Sequence, residues 1–172
     1  MGFTPISGLP MGTRSGDLDP GVAWYLMQFE KCSADQFNHI INHDSGLLGL
    51  SETSSDIREL LKCEATDSRA AEAIELFCYQ TKKWIGSFTA ALGGLDTLIF
   101  SGGIGENAPE VRDRICSGLQ FLGIELDEKR NIDSEIIIFT DKSKVPVYVL
   151  KTNEELMIAG LVCQVLNYTV NN

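Results

Sequence analysis

The sequence lacks the features of several large classes of protein. It has no uninterrupted apolar run of about 18 residues, the length that a membrane-spanning helix needs. No signal-peptide pattern stands at the amino terminus, and no Gly-Lys-Ser or Gly-Lys-Thr triplet, the end of a Walker phosphate loop, occurs in the chain. These absences predict a soluble, cytoplasmic protein without a Walker-type nucleotide site.

Positive charge and paired cysteines are also scarce. The chain has 14 lysines and arginines against 24 aspartates and glutamates, a formal net charge of −10. Such a chain repels nucleic acid and anionic membrane surfaces, so we expect neither as a partner. The five cysteines are odd in number and form no Cys-x-x-Cys pair. We therefore expect reduced thiols, with neither a disulfide framework nor a zinc cluster.

Histidine is rarer still. The two histidines, His39 and His43, stand four residues apart in a predicted helix. This spacing can bring two imidazoles onto one zinc ion. Because no third ligand is nearby in the sequence, we favour solvated or half-buried histidines over a metal site.

The apolar pattern switches between helical and strand periodicity. We predict an α/β fold, in which helices alternate with buried strands. Predicted helices span 20–31, 68–92, 108–123 and 153–168, the last with Thr152 and Glu155 as its capping box. Another helix is predicted between Ser33 as N-cap and Gly46 as stop. A short helix is predicted to start at Asp56, with Glu59 as its capping-box partner. Predicted strands lie within 93–101, 135–140 and 145–151. A sheet normally has about five strands, so we expect further strands to precede residue 1.

The glycine-rich stretch Ser101–Pro109, SGGIGENAP, follows the first predicted strand. It satisfies the loose Gly-x-Gly-x-x-Ala pattern of dinucleotide-binding folds, with the acidic Glu125 about 20 residues later. The following helix, however, is predicted to start only at Asn107 or just after it, and no second mononucleotide half follows. From the residues alone, a ligand-binding loop and a tight turn with Asn107 as N-cap both remain open.

Three other stretches carry candidate residues. Arg14 stands in a loop of small residues, where it is either an anion clamp or a surface arginine. Asp56 and Arg58 stand at a helix start, where Asp56 is either a cap or a ligand contact. Glu154 is either a magnesium ligand or an acidic residue favoured in the first turn of a helix.

Four stretches together resemble one family, the acetate/propionate kinases (acetokinases) of the actin–hexokinase–heat-shock-70 superfamily. They are MGFTP…MGTRSGDLDP (1–20), SGLLGLSETSSDIREL (45–60), SGGIGENAPEVRDRICSGLQFLGIELD (101–127) and TNEELMIA (152–159), in the family's order. The resemblance implies a ribonuclease-H-like (actin/hexokinase/Hsp70-type) ATPase domain, incomplete at its amino-terminal side. Residues 1–172 would be the carboxyl-terminal portion of the family's nucleotide-binding and dimerisation domain.

The resemblance also implies a reaction and a set of site residues. The reaction is reversible phosphoryl transfer between ATP and acetate, which gives acetyl phosphate and ADP and requires Mg²⁺. The matching residues are Arg14 for the transferring phosphoryl group, Asp56, Ile57 and Arg58 for the nucleotide, Gly103, Ile104, Gly105, Glu106 and Asn107 for adenosine, and Glu154 for magnesium.

The family's chains are more than twice this length, and this sequence begins where their MGFTP loop stands in mid-chain. The resemblance implies that the remaining catalytic histidine and aspartate, a second arginine and the phosphate loop precede residue 1. His39 and His43 do not match that histidine's motif. We expect the chain alone to bind nucleotide weakly and to have little or no kinase activity, and the resemblance implies a homodimer formed through this carboxyl-terminal domain. The alternative is a residual nucleotide-binding or dimerisation module without catalysis.

Overall fold

A computed structural model describes residues 2–166 of the chain. Its helices are α1 (Pro20–Gln28), α2 (Ala34–His43), α3 (Gly46–Ser51), α4 (Ile57–Cys63), α5 (Ser68–Leu92), α6 (Gly102–Asn107), α7 (Pro109–Cys116), α8 (Glu128–Ile132) and α9 (Glu154–Val165), with one 3₁₀ turn at Gln120–Leu122. Strands β1 (Leu98–Phe100) and β2 (Val147–Val149) pair in parallel, with Leu98 opposite Val147. Parallel strands joined through helices confirm the α/β class. Within the described residues, no helix is both long and apolar enough to cross a bilayer.

The long helix α5 has the bounds that the apolar periodicity predicts, 68–92. Asp67 caps its first turn, and Gly93 ends it with a φ of +76°, a left-handed conformation that glycine adopts without strain. Only its amino-terminal half is buried, through Ile74, Phe77 and neighbouring small residues, against α3, α4 and α7. The predicted apolar stripe continues to Leu92, but that end is exposed.

Two other helix starts agree with the sequence. Asp19 accepts a hydrogen bond from the Gly21 N–H at 2.7 Å, directly before α1. Ser33 and Gln36 exchange hydrogen bonds as a capping box at the start of α2. These caps depend on residues within one turn, which is why the sequence reveals them.

Five details of the predicted helices are wrong. The helix predicted over 20–31 ends at Gln28. Gly46 does not stop α2, which ends at His43; it begins α3. Glu59 makes no capping box with Asp56, because its carboxylate accepts from the Ser54 hydroxyl instead. Asn153, not Thr152, caps α9 by accepting from the Leu156 N–H at 2.9 Å. The helix predicted over 108–123 ends at Cys116, and the last residues of the helix predicted over 153–168 lie outside the described part of the chain.

The segment 135–140, predicted as a strand, forms only isolated bridges. It bonds on one side to β2, where Ile138 N–H donates to Val147 O at 3.1 Å. On the other side Asp127 N–H donates to Ile138 O at 2.9 Å, so the segment divides its bonds between two partners. Neither ladder is long enough to make a strand, although the segment lies alongside β2 and bonds to it.

Candidate nucleotide-binding site

A cavity of about 360 Å³ lies between the start of α4 and helix α6. One side, which we call the α4 wall, consists of residues 55–58; the other, the α6 wall, consists of Gly103, Ile104, Asn107 and Ala108. The two segments that the sequence predicts to bind nucleotide are therefore brought together, although more than 40 residues of chain separate them. Gly105 and Glu106 do not line the cavity.

The glycine-rich stretch is itself a helix, α6, which corrects the prediction of a loop followed by a helix at Asn107. Gly102 has a φ of +73°, so the chain turns sharply out of β1. A Cβ at Gly105 would lie 3.3 Å from the carbonyl carbon of Phe100, so a glycine lets α6 pack closely against β1. Asn107 is the last residue of α6 and no N-cap; its Nδ2 donates to Gly103 O at 2.9 Å.

Glu106 points away from the cavity and connects α6 to the segment before α9. Its Oε1 accepts hydrogen bonds from Gly102 N–H (2.9 Å), Thr152 N–H (2.8 Å) and the Thr152 hydroxyl (3.0 Å). These bonds, and above all those from Thr152, stabilise the charged carboxylate. They therefore lower the pKa of Glu106. The structure thus gives this carboxylate a positioning role, with Oε1 already occupied by three hydrogen bonds.

Asp56 and Arg58 form a local pair at the edge of the cavity. Asp56 accepts from the Arg58 backbone N–H at 2.9 Å, which confirms it as the cap of α4, and from the guanidinium Nε at 3.0 Å and Nη2 at 2.5 Å. The hydrogen bonds from the Arg58 side chain lower the pKa of Asp56 to about 2. The arginine remains largely exposed beside the cavity with its orientation set by Asp56.

The loop that carries Arg14 is held by the amino-terminal end of α3. Ser45 N–H donates to Thr13 O at 2.9 Å, and Leu47 N–H donates to Met11 O at 2.8 Å. These loop carbonyls satisfy N–H groups that a helix start leaves unpaired. Arg14 itself is exposed and does not line the 360 Å³ cavity.

Glycines allow the closest approaches of this loop. Gly46 has a φ of +61°, and a Cβ there would lie 2.1 Å from Met11 O. A Cβ at Gly12 would lie 3.1 Å from the carbonyl oxygen of Ser55, the first residue of the α4 wall. The Arg14 loop therefore packs directly beside the cavity.

Glu154 stands in the first turn of α9 and is exposed. It follows Thr152, which Glu106 binds, so it belongs to a segment connected to α6. Among residues 2–166 no three His, Cys, Asp or Glu side chains are grouped as a metal cage. The imidazoles of His39 and His43 lie 4.9 Å apart, and His39 Nε2 is 3.4 Å from Asp44, in a solvated setting as expected.

Sequence reasoning missed Arg112, which is completely buried in α7. All its N–H donors are used: Nε bonds to Asn131 Oδ1 (2.7 Å), Nη1 to Gly105 O (2.8 Å) and Glu106 O (3.1 Å), and Nη2 to Asn131 O (2.6 Å) and Ser134 Oγ (3.0 Å). Burial lowers the pKa of the guanidinium. The sequence did contain a signal for this burial, because Arg112 lies on the same face of α7 as the buried apolar residues.

Comparison with known proteins identifies one family that this chain resembles. The model of the acetokinase family matches residues 1–160. The chain is 49% identical over 164 residues to an acetate kinase of Clostridium botulinum, covering 92% of this chain and 41% of that protein. It is 49% identical over 166 residues to a propionate kinase of Yersinia enterocolitica, covering 96% of this chain and 40% of that protein.

A solved structure leads to the same family. The acetate kinase of Porphyromonas gingivalis superposes with a TM-score of 0.88 at 42% identity, over 96% of this chain and 43% of that one. This likeness supports the expected ATPase fold of the family. The chain spans about two-fifths of the length of the curated relatives it matches. It belongs to the acetokinase family.

Proposed function

We propose that the chain forms the nucleoside-facing part of an ATP site in a kinase that transfers a phosphoryl group reversibly between ATP and acetate, or another short-chain carboxylate. The products are acetyl phosphate and ADP. The observation that carries the proposal is that the α4 wall and the α6 wall line one cavity together. The named relatives, acetate and propionate kinases, supply the reaction class.

The α6 wall leaves room for the nucleoside of the proposed ligand. A Cβ at Gly103 would meet no atom within 4 Å, so this backbone faces open space that a ligand can fill. Ile104 adds an apolar surface and Asn107 a side-chain amide beside it. Apolar walls with a few polar groups are the usual composition of small-molecule sites.

Arg14 is assigned to the transferring phosphoryl group. Phosphoryl transfer depends on alignment and on compensation of negative charge, more than on covalent chemistry by the protein. A guanidinium provides both, because its planar N–H groups bind two phosphoryl oxygens at once. The hydrogen bonds of the loop to α3 hold the Arg14 backbone while its side chain stays exposed to substrate.

Glu154 fits the family's magnesium ion. In kinases Mg²⁺ is bound by one or two carboxylates together with substrate phosphates and water, so a complete protein cage is unnecessary. The Glu154 carboxylate is exposed and can therefore reach a bound ion. The ion, when bound, compensates the charge of the phosphates.

Calorimetric titration of the chain with ADP tests the proposal. Gly103→Val places a side chain on the cavity wall at a position where the Cβ meets no atom within 4 Å, and it is expected to abolish binding. Gly86→Val is the matched control, since Gly86 lies on α5 and its Cβ would also meet nothing within 4 Å. Equal ADP affinity of the two variants, or no heat with the unchanged chain, contradicts the proposal.

We further infer that the chain alone has little or no kinase activity. The motivation is that the chain covers only about two-fifths of the length of its relatives. A coupled hydroxamate assay measures acetyl phosphate formation directly. Turnover near that of a full-length acetate kinase would refute this inference.

Self-association is a second candidate role, favoured by the surface of α1. This helix has no buried residue and exposes Trp24, Tyr25 and Phe29 by more than half. Exposed aromatic groups of this kind mark interaction surfaces. Size-exclusion elution over a range of concentrations should show a dimer, which Trp24→Ser converts to monomer; elution as a monomer at every concentration contradicts this role.

A further inference from the structure

We propose that α7 is the element that sets the spacing of the cavity, with Arg112 as the positioning residue for the α6 wall and Arg114 for the α4 wall. Neither arginine lines the cavity, so both act through the backbone of the elements that do. The identity of the ligand rests on the function proposed above. The positioning role rests on contacts within the chain.

Arg112 holds the last turn of α6. Its Nη1 donates to the carbonyl oxygens of Gly105 and Glu106, at 2.8 and 3.1 Å, between the two cavity-lining residues Ile104 and Asn107. Carbonyl groups at the end of a helix lack helical partners and carry partial negative charge, so they suit a cation.

The remaining N–H groups of Arg112 are also hydrogen-bonded. The remaining donors of Arg112 bind Asn131 and Ser134, and Asn131 Nδ2 in turn donates to Pro109 O at 2.9 Å, the first residue of α7. None of the acceptors around Arg112 is a carboxylate. A buried cation without a counter-ion is costly unless every donor is bonded, so displacement of α6 would leave this one unsatisfied.

Arg114 holds α4. Its Nη1 and Nη2 donate to the two carboxylate oxygens of Glu64 at 2.8 and 2.7 Å, a bidentate pair that is partly shielded from water. Glu64 is the residue that ends α4, whose first turn forms the α4 wall. Planar bidentate pairs constrain both distance and orientation. The pair lowers the pKa of Glu64 and raises that of Arg114.

One short helix therefore connects to both sides of the cavity. Residues two positions apart on a helix point about 200° apart, so Arg112 and Arg114 reach elements on opposite sides of α7. The buried Ala108 joins α6 to α7 without an intervening loop. Rotation of α7 would consequently change the position of both walls together.

Hydrogen–deuterium exchange combined with ADP calorimetry on the 172-residue chain tests this role. Arg112→Met should speed amide exchange in residues 103–108, and Arg114→Met in residues 57–64, each about tenfold, with a comparable loss of ADP affinity. Arg112→Lys keeps the charge and should recover part of both effects. Arg69→Met is the control, because Arg69 is an exposed arginine paired with Glu52 outside the cavity.

The outcomes separate this inference from the proposed function. Unchanged exchange in 103–108 for Arg112→Met, or equal acceleration throughout the chain in every variant, overturns the positioning role. If the unchanged chain gives no heat with ADP, the proposed function of this chain fails, while the exchange pattern still decides the role of α7. Should Arg112→Met not fold, Ser134→Ala, which removes one acceptor of Arg112, must give the same localised exchange.

Discussion

Glu106 Oε1 accepts two hydrogen bonds from Thr152, one from its backbone N–H at 2.8 Å and one from its hydroxyl at 3.0 Å. The same oxygen accepts from Gly102 N–H, so one carboxylate joins the start of α6 to the segment that leads into α9. In the proposed kinase these two segments bind the nucleoside and the metal. Glu106 thus connects two parts of the proposed site.

Glu106→Gln should lower the unfolding temperature at neutral pH, because an amide oxygen is a weaker acceptor for these three donors. The folded pKa of Glu106 is depressed, mainly by its hydrogen bonds from Thr152. Such a group stabilises the fold above its unfolded pKa and loses this contribution as the pH falls through its folded pKa. The unfolding temperatures of the two proteins should therefore begin to converge once the pH falls below the ordinary pKa of a glutamate, about 4.3. A difference that stays constant from pH 7 to pH 3 contradicts this account.

Gly46→Ala should destabilise the chain by more than about 1 kcal/mol, since it combines a left-handed φ with a Cβ that would overlap Met11 O. Gly86→Ala is the matched change in an open, helical position and should stabilise α5 by up to about 1 kcal/mol. Urea unfolding of both variants measures the two effects. Equal changes for both glycines would show that the Arg14 loop does not require Gly46.

Asp56→Ala should reduce ADP affinity about tenfold, because it removes both the cap of α4 and the carboxylate that orients Arg58. Asp19→Ala removes a comparable cap from α1, far along the chain from the cavity. Calorimetric titration of the two variants separates the loss of a cap from the loss of a site residue. Similar ADP affinities would indicate that Asp56 acts only as a cap.

Leu60→Ala should cost about 2–5 kcal/mol, because it leaves a cavity where a completely buried side chain packs between α4 and α5. Leu92→Ala deletes the same atoms from a side chain that is 77% exposed, and should change stability by less than about 0.5 kcal/mol. Chemical denaturation monitored by tryptophan fluorescence measures both. A small effect at Leu60 would place it outside the folding core.

Helix bounds and helix caps could be predicted from the sequence where the residues that cause them lie within one or two helical turns. The bounds of α5 and the caps Asp19, Ser33 and Asp56 depend on neighbouring residues and agree with the sequence. Segment 135–140 has strand composition but shares its hydrogen bonds between two partners. No local pattern contains that information.

The sequence by itself determined the α/β class, the family and the two segments that form the walls of the cavity, because periodicity and motif order are linear properties. Tertiary structure alone decided which of those residues line the cavity. It turned Glu106 away to Thr152, made the glycine stretch a helix, and buried Arg112 beneath it. The physical reason is that Glu106 and Arg112 take hydrogen-bond partners from distant parts of the chain, and only the folded chain brings those parts together.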